Sequence, residues 1–334
     1  MENEMTNLQP TPEIVYEPPK TMTRKTKRLI FYILMVALPF AQFLLFYVYV
    51  HFNSIMMAFR LETVDHTGKV TATFTFSENF KAVWSWLQSE EGSIGVTNAL
   101  KNYFISFFTS GIFSIFFSYY VYKKFIGHGV FKVFLYLPSI VSAIILVVVY
   151  KEIMNKVLPE IINDLVYDGQ PIQKPILESD TYTWVLFYSI FMHLGGHILM
   201  YTGAMSGINE SVVESAQLDG VNAIQEFWYI TLPLIWPTFV TFTVTGIAGI
   251  FTGHPNLHTF FGMDGPFSEK VHTVGYMIFY SVRNGSIISD RTGSKITMLS
   301  FTQVSALGLM ITSIMLPTTL ILKKIMTKYG PSTD

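Results

Sequence analysis

Long apolar runs separated by polar connections dominate this chain. A helix needs roughly 20 mainly apolar residues to cross a bilayer. Six stretches meet or approach that length without Asp, Glu, Lys or Arg: 29–52, 102–122, 133–150, 184–205, 234–251 and 296–322. The third is the shortest, and Phe131 and Lys132 extend it to 131–150 if the lysine snorkels. The pattern predicts an all-α membrane protein with six transmembrane helices. Residues 1–28 then form a tail, 53–94 an extracytoplasmic loop, 206–233 a polar loop and 323–334 a second tail. Val271–Val282 is apolar but too short to span, so it reads as an interfacial or re-entrant helix.

The first run follows Arg24, Lys25, Lys27 and Arg28, as the core of a signal peptide would. Its apolar stretch is much longer than such a core, and no small-residue cleavage site follows, so it reads as an uncleaved span. Pro10, Pro12, Pro18, Pro19 and several Glu mark the first residues as a disordered polar tail. Only 13% of the 334 residues are charged, against roughly a quarter in a soluble domain. A net charge of −1 speaks against a nucleic-acid partner. The absence of Cys excludes disulfides and thiolate metal sites within this sequence.

Lys and Arg near span ends set orientation. Arg24, Lys25, Lys27 and Arg28, then Lys123, Lys124 and Lys132, then Lys323, Lys324 and Lys328 share one side if there are six spans. Both termini are therefore expected in the cytoplasm, around a multi-pass inner-membrane protein. The long connections on the other side carry Arg60, Lys69, Arg283 and Arg291, where the rule is weaker.

The loop at 206–233 has the clearest local chemistry. Ser211–Leu218 is a helical stretch with Val212, Val213, Ala216 and Leu218 on a loose apolar side. Asp219-Gly220 is a stop signal, because Gly tolerates the left-handed conformation that ends a helix. Asn222 and Gln225 have the spacing of a capping box for a second helix. Ile224, Phe227, Trp228 and Ile230 lead to Pro233, which suits the first turn of the fifth span. The expected product is a helix–turn–helix on the membrane surface.

Glu214-Ser215-Ala216, Asp219-Gly220, Phe227 and then Ile230-Thr-Leu232-Pro233 resemble the EAA loop of binding-protein-dependent ABC importer permeases. That pattern is Glu-Ala-Ala-x-x-x-Gly followed by Ile-x-Leu-Pro. The chain departs from it at Ser215, a small-for-small change. Weaker likenesses to the carbohydrate-importing branch, which includes the maltose and glycerol-phosphate permeases, lie at Phe76–Phe80, Asn98–Asn102, Leu137–Ile145 and Gly262–Pro266. The resemblance covers about 95–322.

It implies the type I ABC importer transmembrane fold, with the first span as an added helix. It also implies a coupling helix docked in an ATPase cleft, with Glu214 pairing a basic group, Ala216 packing closely and Gly220 making the turn. Ser215, Asp219, Phe227 and Pro233 complete the ATPase-coupling set. The implied partners are a second, different permease, two ATPase subunits and an extracytoplasmic solute-binding protein, in membrane lipid. No cofactor is expected in this chain. The sequence carries no Gly-x-x-x-x-Gly-Lys-Ser/Thr phosphate loop, so ATP and Mg would be bound by the partner ATPase and this chain would not be an enzyme.

Polar groups within spans are functional suspects. His193 and His197, four apart, share one helix face. They could bind a metal, face the pathway and bond substrate hydroxyls, or bond a neighbouring helix beside Gly195 and Gly196. No carboxylate or Cys stands near to favour a metal. Phe251, His254 and Asn256, where the fifth span ends, are candidates for the same pathway, or merely a helix end with a Gly-Pro turn. Tyr188, Phe104, Phe108 and Phe116 read as packing or lipid-facing residues. An ion-coupled secondary transporter is the competing function, but it normally places charged coupling groups inside its spans, and these have none. A membrane enzyme or receptor would need a nucleophile–base set that the spans lack.

Overall fold

The computed structural model describes residues 23–64, 70–166, 176–254, 256–262, 267, 269–284 and 299–331. The first tail up to residue 22, Lys69, Pro255, the Gly262–Pro266 turn beyond its first residue, and Arg291 therefore fall outside the described residues. The chain divides into two units, Met1–Ser54 and Ile55–Asp334.

The described part of the first unit is helical. Helix α1 runs Arg24–Ala58, and its most apolar stretch buries nothing. Thr23 caps it by accepting the amide of Thr26. Pro39 withdraws one ladder donor, and a π turn follows at Phe43–Tyr49. A helix exposing Leu34, Leu38, Phe46 and Tyr49 in this way is suited to hydrocarbon rather than water.

The second unit opens with strands β1 (Arg60–Val64) and β2 (Val70–Phe74), antiparallel, with Arg60 opposite Phe74. Helix α2 (Glu78–Gln88) follows, then α3 (Glu90–Tyr122). The expected all-α chain thus contains a two-stranded sheet, and much of the expected 53–94 loop is ordered. Asn79 fixes it, its amide donating to the carbonyls of Ala58 (2.9 Å) and Arg60 (2.8 Å). Helix α3 begins well before 102 because Ser89 caps it and Glu90 and Glu91 favour a helix N-terminus.

The expected third span is two helices, α4 (His128–Ile140) and α5 (Ala143–Leu165), meeting at 108°. Pro138 removes a ladder donor, the hydroxyl of Ser139 takes the Tyr136 carbonyl at 2.7 Å, and Val141 turns extended with ψ 146°. Helix α6 (Thr181–Ser206) is unbroken. The loop helices α7 (Glu210–Leu218) and α8 (Ala223–Leu234) precede α9 (Trp236–Ala248), which leaves α8 at 64°. Pro233 therefore lies in the last turn of α8, and Pro237 takes the first turn of the fifth span.

A short helix α10 (Leu257–Phe261) leads to α11 (Val274–Asn284). Protein covers Val271, Val274, Tyr276 and Met277 of the Val271–Val282 stretch, so it is not simply interfacial. Asn98 anchors its approach, donating to the carbonyls of Lys270 and His272 at 2.9 Å each. Helix α12 (Phe301–Tyr329) starts at a Ser300–Gln303 capping box and runs through Lys323, Lys324 and Lys328, so most of the expected tail is helix. Among the described residues, four helices are long and apolar enough to cross a membrane, or six if each bent pair counts as one span.

Among the described residues, three apolar clusters hold this unit together. Val83, Trp86, Met277 and Leu307 join α2, α11 and α12. Val147, Tyr188, Phe260 and Tyr276 join α5, α6, α10 and α11, which makes Tyr188 a packing residue. Ile115, Tyr119, Tyr201, Met205, Phe227 and Ile235 join α3 and α6 to the loop.

Candidate functional site

The loop is a closed local design. Asn209 caps α7 by accepting the Ser211 amide at 3.1 Å. Val213 and Ala216 are buried, whereas Glu214, Ser215 and Asp219 are exposed. Ser215 satisfies its hydroxyl on its own helix, 2.7 Å from the Ser211 carbonyl, so the departure from Ala leaves no orphan group. After Asp219, Gly220 adopts φ +79°. Its amide donates to Gln217 at 3.0 Å, and that of Val221 to Ala216 at 3.1 Å. Those two bonds form the Schellman turn that glycine favours. Asn222 and Gln225 then make both bonds of the capping box, 2.9 and 3.0 Å. On the outer surface Leu218 is 89% and Ile224 72% exposed, beside the turn. Val212 is exposed too, so the buried side of α7 is narrower than its sequence suggested.

The inner surface of α8 holds a contact that sequence reasoning missed. Glu226 is only 2% exposed, and the ammonium of Lys123, just past α3, lies 2.9 Å from each of its carboxylate oxygens. The hydroxyl of Tyr119 donates to the Ala223 carbonyl at 2.8 Å. Phe227 is buried with its ring 5.1 Å from Phe116 and 5.0 Å from Tyr119. Phe116 is therefore a loop contact, while Phe104 and Phe108 stay exposed.

Between α3, α6 and α9 lies a cavity of about 420 Å³, within the range of small-molecule sites. His193 and His197 of α6 line it, as do His254 and Asn256 beyond α9. Phe251 does not; it packs against the cluster containing Val274 and Met277. Tyr103, Phe107, Tyr201, Phe239 and Phe242 supply aromatic walls. Among the described residues, no Asp, Glu, Lys or Arg lines it. His193 bonds the Ser189 carbonyl of its own helix at 2.7 Å through Nδ1, and the ring of His197 stands 5.0 Å from that of Phe242. No group of three His, Cys, Asp or Glu suited to a metal occurs among the described residues.

Ser110 is the residue sequence reasoning overlooked. It is 1% exposed, lines the cavity and has no hydrogen-bond partner for its hydroxyl among the described residues. The Nδ1 atoms of His197 and His254 share that state. Ser110 lies in a π turn, Phe107–Gly111, within α3, a distortion often found at functional sites. A lone serine in an aromatic run gave only a weak signal.

Gly195 and Gly196 differ in role. A Cβ at Gly195 would stand 2.4 Å from the Leu135 carbonyl of α4, whereas one at Gly196 would meet nothing within 4 Å. Only the first is a close-packing residue between helices.

Residues 108–332 match the family described as the binding-protein-dependent transport system inner membrane component. The arabinooligosaccharides transport system permease protein of Halalkalibacterium halodurans is 24% identical over 155 residues, 44% of this chain and 47% of that protein. The lactose transport system permease protein of Rhizobium radiobacter is 22% identical over 189 residues, 53% of this chain and 63% of that one. The maltose/maltodextrin permease of Vibrio vulnificus is 24% identical over 198 residues, 55% and 37% respectively. The chain spans about half the length of the first of these relatives. A crystal structure of a bacterial ABC transporter involved in alginate import shares the fold, with a TM-score of 0.67 at 17% identity over 91% of this chain and 98% of that one. The same likeness, TM-score 0.67 at 18% identity, extends to the alginate transporter solved with a pentasaccharide-bound periplasmic protein. With two-thirds of its length inside the family's pattern, this chain belongs to the binding-protein-dependent transport system inner membrane components.

Proposed function

We propose that the chain is a permease subunit of an ATP-driven carbohydrate importer and forms half of its translocation pathway. A second, different permease supplies the other half. Two ATPase subunits bind ATP and Mg and dock on the α7–α8 loops, with Glu214 facing a basic group. An extracytoplasmic solute-binding protein delivers an oligosaccharide. The cavity carries this reading. Among the described residues it offers aromatic faces, buried polar atoms at Ser110, His197 and His254 that have no hydrogen-bond partner, and no Asp, Glu, Lys or Arg. Neutral polyhydroxyl solutes need that combination: ring faces for their C–H surfaces and buried polar atoms for their hydroxyls. Without a carboxylate, lysine or arginine among the described lining residues, the wall gives a cation-coupled carrier no fixed charge to couple through. The saccharides in the names of the relatives support the same class.

Both termini are cytoplasmic in this reading. The Lys123–Glu226 contact supports placing the end of α3 beside the loop. The indole of Trp236 donates to the Met326 carbonyl at 3.0 Å, which supports placing the end of α12 there too.

Ser110→Ala and His197→Phe are expected to raise the KM for uptake of an arabinooligosaccharide or a maltodextrin about five- to tenfold, the cost of about one lost hydrogen bond each. ATPase retention should be unchanged. An unaltered KM for every saccharide that the wild-type complex imports would remove the cavity from the pathway.

A further inference from the structure

We infer that Lys123 and Glu226 are a positioning pair that makes α3 follow the loop, so that one displacement at the α7–α8 turn moves the α3 wall of the cavity together with the walls that the chain itself joins to the loop. The inference rests on the importer reading above. Helix α8 continues by covalent chain into α9, across the bend at Ile235. That path moves the α9 wall, with Phe242 and Thr243, and the short chain from Ser206 of α6 into α7 joins the α6 wall, with His193 and His197, to the loop as well. The α3 wall, with Ser106 and Ser110, has no covalent link to the loop.

Three contacts provide a link instead. The Lys123 ammonium holds both Glu226 oxygens, the Tyr119 hydroxyl holds the Ala223 carbonyl, and the Phe227 ring packs on Phe116 and Tyr119. All lie within the last turns of α3 and the first turns of α8. The charges also suit their helices, with the lysine at the C-terminal end of α3 and the glutamate in the first turn of α8.

Stability does not explain such a pair. An apolar pair of the same volume in a buried site is often as stable or more so. What a twofold contact between one ammonium and one carboxylate adds is register: it fixes which turn of α3 meets which turn of α8. The Ser211–Pro233 segment showed this glutamate only as one more polar residue. Its partner lies 103 positions earlier.

The absence of cysteine makes the test clean, because two introduced thiols are the only ones in the chain. Spin labels at Phe108→Cys on α3 and Thr245→Cys on α9 report the wall separation from exposed positions outside the cavity lining. The labelled chain is assembled with its permease, ATPase and binding-protein partners in nanodiscs. The distance distribution is recorded without nucleotide and with ATP and vanadate. The wild type should shift on nucleotide trapping. Lys123→Glu and Glu226→Lys should each cut the shifted population at least about fivefold while the ATPase stays bound, and the double reversal should restore it. A merely structural pair would change melting temperature and leave the nucleotide response intact in the folded protein. If either single variant fails to insert, Lys123→Met/Glu226→Met keeps the volume without the register and is expected to show the same loss. A normal shift in a folded single variant or in the Met pair overturns the joint. A wild-type complex that binds no ATPase removes the importer reading, and the joint with it.

Discussion

Replacing Gly220 by valine is expected to leave the protein in the membrane and to strip it of its ATPase. The reason lies in the backbone. At φ +79° an L-residue carries a penalty of about 1–2 kcal/mol, and a β-branched one more. Nothing stands within 4 Å of a Cβ there, so packing plays no part in the loss. The strain has one outlet. Helix α8 is held inside by Glu226 and Phe227, so α7 must swing, which separates Leu218 and Glu214 from Ile224 on the surface proposed to dock the ATPase. Misplacing a docking element by 1.4 kcal/mol corresponds to about tenfold in affinity. Co-purification of the ATPase with Gly220→Val should therefore fall at least about tenfold. Gly220→Asn should retain most of it, since Asn adopts the left-handed region readily. Equal loss in both would mean that the turn conformation is not what matters.

Gly195→Val should affect the fold itself. A Cβ at 2.4 Å from a backbone carbonyl leaves no flexible end to give way, so α6 and α4 must separate. Overpacking of this kind costs about 1–3 kcal/mol. The site is vulnerable because α4 ends at the break after Ile140 and is held chiefly along α6. A thermal melt in detergent should show a clear fall for Gly195→Val, with reduced yield. The neighbouring Gly196→Ala fills open space on a helix and should be neutral or stabilising by up to about 1 kcal/mol. The adjacent glycines thus give opposite results, and equal melts would contradict the close approach of α4.

The loop was legible in the sequence because its chemistry is local. Asp219-Gly220, then Asn222 with Gln225, specify a stop and a start within a few residues, and the backbone obeys both. The spans were legible as apolar mass but not in shape. Mean hydropathy over a stretch ignores a single residue that leaves the helical conformation, so the break at Val141 and the bend at Ile235 were invisible to it. Pro233 and Pro237 both suit a helix start, and only the observed bend separates them. The cavity was least legible. His193, His197, His254 and Asn256 stood out as polar groups in apolar surroundings, and all four line it. Phe251 has the wrong azimuth, which sequence spacing near a helix end does not reveal. Ser110 and the Lys123–Glu226 pair depend on which helices meet, a property of pairs far apart in the chain.

The central claim is that this permease moves a saccharide with energy from ATP, received through Glu214 and its loop. The direct measurement is uptake of labelled neutral oligosaccharides into proteoliposomes holding the permease pair, the ATPase and the binding protein, with and without internal ATP and with Glu214 intact or replaced by Lys. The account predicts uptake only with ATP, reduced at least about tenfold by Glu214→Lys, in line with the loss of a charged anchor at an interface. Uptake that runs on an ion gradient without ATP, indifferent to Glu214, would contradict it.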